Sequence, residues 1–145
     1  MRTALSYQDA LRVLATLLEQ CQDKRATLRV SPQGALAAAP GWRWPSEWTP
    51  DMLRDEAARQ ARDRTQPRYE HLRSDRLSAC LRVLGSDLDE QGVGFFVLTV
   101  LPEAIHVQVQ GGDEQTIDME SLKRRARRFA GRREQPAAAD GPARP

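Results

Sequence analysis

The chain has 145 residues, enough for one domain built round a single shared core. Hydrophobic residues make up 40% and charged residues 29%, and the mean hydropathy is -0.62; these values exclude a wholly disordered chain and a membrane-embedded one. The formal net charge is only +2, which hides a strongly uneven distribution along the chain.

The longest apolar run, Phe95 to Leu101, is too short to span a bilayer. Arg2 is not followed by the apolar stretch and small-residue cleavage site of a signal peptide. The expectation is a cytoplasmic protein with no membrane partner. Arginine outnumbers lysine 20 to 2, a usage that points to a GC-rich bacterial source. Cys21 and Cys80 sit among helix-patterned leucines, where a thiol serves as a small apolar group. His71 and His106 are isolated, so no metal site or other cofactor is expected.

Ser6 with Asp9 forms a shortened capping box, and Leu11, Leu14, Leu18 and Cys21 recur at helical spacing, predicting a helix over 6–24. Alternation in Ala26 to Val30, turn chemistry in Ser31-Pro32-Gln33-Gly34 and a small apolar stretch over 35–39 predict a hairpin. After a loop, Thr49-Pro50-Asp51 supplies a cap, a first-turn proline and an acid, predicting a helix over 50–63. Pro67 interrupts the chain. From Tyr69 a second long helical pattern carries Leu77, Cys80, Leu81, Leu84 and Leu88 and ends near Gly92. Phe95 to Leu101 and Ile105 to Val109 predict a second hairpin about Pro102-Glu103-Ala104. The first of these strands is apolar at successive positions, so both its faces should be covered, at the centre of the sheet or at an interface. Asp118 caps a final helix with Met119, Leu122, Ala126, Phe129 and Ala130 on one face. Residues 134–145, rich in Ala, Pro and Gly, predict a disordered tail.

The fold class is therefore α+β, one compact domain over 1–133. Two helix-hairpin-helix (αββα) halves, 6–63 and 69–133, should form a four-stranded antiparallel sheet with helices. Sliding the sequence by 70 residues aligns the halves: Leu11-Arg12-Val13-Leu14 falls on Leu81-Arg82-Val83-Leu84, Leu28 and Val30 on Leu98 and Val100, and Met52 on Leu122. Duplication is one reading; chance agreement of amphipathic patterns in an Ala-, Leu- and Arg-rich chain is the other. Leu81, Leu84, Leu98, Val100, Val107 and Leu122 are expected in the core.

Within residues 11–62, Leu17-Leu18, Leu28-Arg29-Val30, Gly34-Ala35-Leu36 and Thr49-Pro50-Asp51-Met52-Leu53-Arg54 carry a resemblance. The segment resembles the small N-terminal docking domains of hybrid peptide and polyketide synthetases, of the tubulysin-synthetase type. The resemblance implies a helix-hairpin-helix module that recognises a partner segment through its hairpin. Where such domains end their second helix on a lysine-containing segment, Gln60-Ala61-Arg62-Asp63 stands here.

Chemistry concentrates in charge blocks. Residues 121–133 hold Lys123, Arg124, Arg125, Arg127, Arg128, Arg132 and Arg133 with no acid, while residues 85–120 hold eight acids and neither Lys nor Arg. An arginine helix of this kind binds phosphates of DNA or RNA through counterion release and bidentate hydrogen bonds. Its competitors are pairing with the chain's own acidic loops, a merely solvated face, and an acidic protein partner. Trp42-Arg43-Trp44-Pro45-Ser46-Glu47-Trp48 gathers all three tryptophans into one loop, either as an interaction surface or as a lid folded back on the core. His71 and Asp75, with Tyr69 and Glu70 beside them, lack any accompanying nucleophile elbow, phosphate loop or zinc spacing. The expectation is a non-enzymatic nucleic-acid-binding accessory protein, with a protein-docking adaptor using the hairpin edge and the Trp loop as the alternative.

Overall fold

The computed structural model describes residues 6–21, 25–63 and 76–134, without the side chains of residues 63 and 129–134. Residues 135–145 of the expected tail, Pro67 and the cluster around His71 lie outside the described residues, while Glu134 ends the last helix. The order of elements is α1 (Tyr7–Leu18), β1 (Ala26–Ser31), β2 (Gly34–Ala38), β3 (Glu47–Trp48), α2 (Pro50–Asp63), α3 (Leu77–Gln91), β4 (Phe96–Val100), β5 (Ala104–Val109), β6 (Glu114–Asp118) and α4 (Met119–Glu134). The α+β class stands. The sheet has six antiparallel strands rather than four, in the order β3-β2-β1-β4-β5-β6.

Strand alternation divides the sheet into two faces. Ala26, Leu28, Val30, Ala35, Ala37, Phe96, Leu98, Val100, Ile105 and Val107 join one core with the apolar faces of the helices. All six residues expected in the core are buried. The opposite face is open among the described residues. Arg29, Leu36 and Gln108 are exposed there and Thr27, Val97, Thr99 and His106 half-buried. β4 is central, as expected, and on its second face Val97 and Thr99 are half-buried.

α1 is shorter than its apolar spacing suggested. Backbone bonds from Gln20 N to Leu17 O (3.0 Å) and from Cys21 N to Leu18 O (2.9 Å) tighten the chain after the last helical turn. Cys21 thus stays buried without a longer helix. At the other long helix, Gly92 takes a left-handed conformation (φ 66°) and closes α3.

β1 and β4 pair antiparallel at the centre, with Leu28 directly opposite Leu98. The hairpins share one register, since Leu28 faces Ala37 and Leu98 faces Val107. The offset then changes by one. Ala35 faces Trp48, whereas Ile105 faces Ile117. Thr49 Oγ1 caps α2 through Met52 N (3.1 Å), and Asp118 Oδ2 caps α4 through Ser121 N (3.1 Å). Buried Leu53 therefore corresponds to buried Leu122, not Met52 as the constant offset required. Counted between the paired positions, Ala35 to Trp48 and Ile105 to Ile117, the path is one residue shorter in the later half.

Candidate functional site

α4 is positioned by its apolar stripe and by one ion pair. Met119, Leu122 and Ala126 are buried, which turns Arg124, Arg127 and Arg128 outward, where all three are exposed. Arg125 lies at the flank and pairs with Asp87 of α3. Lys123 is matched within its own helix by Glu120 (3.6 Å), and Arg124 donates to Ser121 Oγ (3.2 Å). Among the described residues Arg127 and Arg128 have no acidic partner. The side chains of Arg132 and Arg133 lie outside the described residues. Of the seven bases predicted as one site, the structure thus brings three to a common outward face and commits Arg125 to the fold.

α2 occupies the corresponding place in the first half and provides an internal comparison. Residues 50–63 carry four acids and three arginines, whereas residues 119–132 carry six bases and one acid. In α2, Arg54 pairs with Asp51 (3.0 Å), matching Lys123 with Glu120. Arg59 donates to both carboxylate oxygens of Glu56, with Nε at 3.0 and 3.1 Å. That guanidinium holds the Glu56 carboxyl below its usual range, against the opposing effect of burial, with Gln60 contributing a further hydrogen bond. One offset later, Arg128 corresponds to Arg59, but Arg125 stands where Glu56 stood. Asp55 and Ala58 likewise correspond to Arg124 and Arg127. The two helices therefore share a capping bond, one buried leucine position (Leu53 and Leu122) and the first ion pair, and differ on the solvent face.

The Trp loop is anchored to the fold. Trp48 lies in β3 and is 5% exposed. Trp42 and Trp44 are half-buried against the core and meet edge to face, 5.0 Å between ring centroids. Trp42 Nε1 donates to Pro45 O (3.1 Å), and the Arg43 guanidinium lies 5.6 Å from the Trp44 ring. Of Trp42, Arg43, Trp44 and Trp48, Arg43 is the exposed member. The outer edge of β2, the predicted docking edge, is taken up by β3 through Ala35 and Leu36 and by a bond from Ala37 N to Ser46 O (2.7 Å).

Two features were not anticipated. One is Asp87, which ties α3 to α4. The open sheet face exposes Leu36, 45% accessible, beside Arg29. The period-two alternation of β1 and β2 is the sequence signal for that face. No group of three or more metal-ligating side chains occurs among the described residues. Among them, no helix is long and apolar enough to cross a membrane. Comparison with protein-family models, curated proteins and solved structures finds no match to this chain.

Proposed function

We propose that the protein is a non-enzymatic nucleic-acid-binding accessory protein that lays the arginine face of α4 on the phosphate backbone. The observation that carries this reading is the contrast between α2 and α4. When the capping residues Thr49 and Asp118 are aligned, Arg128 falls on Arg59, and a further arginine, Arg125, stands where Glu56 neutralises Arg59. A solvated structural face needs no such change, because α2 fills the same role with near-balanced charge. Clustered exposed guanidiniums release counterions on meeting phosphates and bind them bidentately. We further propose that the two αβββα units arose by duplication, which is supported by the central Leu28–Leu98 pair and the matching hairpin registers. Electrophoretic mobility shift at low salt tests the functional reading. The protein should retard nucleic acid, and Arg124→Gln/Arg127→Gln/Arg128→Gln should lose most of the shift while remaining folded.

A protein-docking adaptor remains the second reading, favoured by exposed Leu36 on the open sheet. With β3 on the hairpin edge, such a partner would contact Leu36 and the Trp42-Arg43-Trp44 turn and leave the strand edge untouched. Its binding would survive neutralisation of α4.

A further inference from the structure

We infer, resting on the nucleic-acid reading of α4, that the ligand is the double-stranded phosphate backbone, bound without regard to base sequence. Single strands are held by proteins that add aromatic platforms to a basic track. No such platform is open among the described residues. Tyr7 and Phe96 are buried and packed edge to face, Trp48 is buried, and Trp42 and Trp44 close on each other. Among the described residues, the rings in or beside the open sheet face are His106, tied to Thr116 Oγ1 at 2.8 Å, and Phe95, which precedes β4 and is half-buried. The face's row through Arg29 also ends in acids, running Glu47-Leu36-Arg29-Val97-Gln108-Glu114.

What remains is a compact cationic stripe. Arg124 to Arg128 spans about one helical turn, roughly 6 Å of rise. A duplex carries a charge about every 1.7 Å of its axis against about 3.4 Å for one of its strands, so the stripe meets a denser phosphate field on a duplex. Sequence readout is disfavoured by the helix's polarity. Helices that read bases enter the major groove with their N-terminal residues. Here the N-terminal end of α4 carries Asp118 and Glu120, which repel phosphate, and its inner side is held to α3 by Arg125 and Asp87. The arginine stripe therefore lies along the backbone.

The test is fluorescence anisotropy on the full chain with four probes of equal length at one salt concentration. These are a mixed-sequence DNA duplex, a scrambled DNA duplex, an RNA duplex and an unstructured single strand. Binding to a duplex about tenfold tighter than to the strand, with the two DNA duplexes equal within about threefold, supports the inference. The DNA and RNA arms then identify which duplex supplies the backbone. Equal or tighter binding to the single strand, or a strong preference between the two DNA sequences, overturns the inference and leaves the α4 reading intact. Binding to none of the probes overturns the α4 reading itself.

Discussion

Glu19 and Asp89, at the C-terminal ends of α1 and α3, each cap the other's helix. Asp89 accepts from Tyr7 N (2.8 Å) and Gln8 N (3.0 Å), and Glu19 accepts from Ser78 N (2.6 Å) while lying 3.7 Å from the Arg76 guanidinium. The two helices therefore run antiparallel, each supplying the carboxylate that the partner's unsatisfied N–H groups and dipole require. Asp89→Ala should lower stability by about 1 to 3 kcal/mol, since it removes two charge-assisted hydrogen bonds. Urea denaturation checks this, and a change near zero would mean that water replaces the cap.

The same helix pair packs closely at Gly85. A Cβ there would lie 2.6 Å from Tyr7 O and 2.7 Å from Gln8 Cα, both backbone atoms. In an exposed helix Gly→Ala would stabilise by about 1 kcal/mol. Gly85→Ala should instead destabilise by about 1 to 3 kcal/mol through overpacking, and the sign of the shift in melting temperature decides between the two.

Tyr7 gives the fold an alkaline limit. Its hydroxyl donates to Val93 O (2.5 Å), and burial, together with the charge of Asp89, raises its pKa above 10.0. Because the folded state holds this proton more tightly, Tyr7's contribution is complete below pH 10.0 and falls as pH rises through the folded-state value. Tyr7→Phe should be less stable than the parent at neutral pH and lose less of its stability between neutral and strongly alkaline pH. Parallel loss in both proteins would contradict this.

How far the sequence announced this structure varies by element. The hairpins were legible because Ala26 to Val30 and Ile105 to Val109 alternate cleanly, and the helix caps because Thr49 and Asp118 precede apolar periodicity. β6 was not, since Glu114-Gln115-Thr116-Ile117-Asp118 has one apolar residue and is exposed at four of five positions. Its acids suit an edge strand: antiparallel self-pairing centred on Thr116 would set Glu114 against Asp118. β3 has only two residues, too few to make a pattern. The basic block was plain, but the division of labour within it was not. Asp87 reaches Arg125 from 38 positions away, and only tertiary packing brings them together.

That division predicts different consequences for neighbouring arginines. Arg125→Gln breaks a half-buried pair with Asp87 and should cost about 0.2 to 1 kcal/mol of folding stability while leaving nucleic-acid affinity within about twofold. Arg128→Gln should do the reverse. Measuring denaturation and binding on both variants checks the assignment, and equal loss of affinity in both would show that Arg125 also faces the ligand.

The most direct test of the account is the salt dependence of nucleic-acid affinity in the parent and in Arg127→Gln/Arg128→Gln. If α4 binds the backbone, the logarithm of the association constant should fall linearly with the logarithm of salt concentration. The double variant should flatten that slope by about 1 per arginine removed, with folding stability unchanged. An unchanged slope, or no detectable binding by the parent at low salt, would contradict the role assigned to α4.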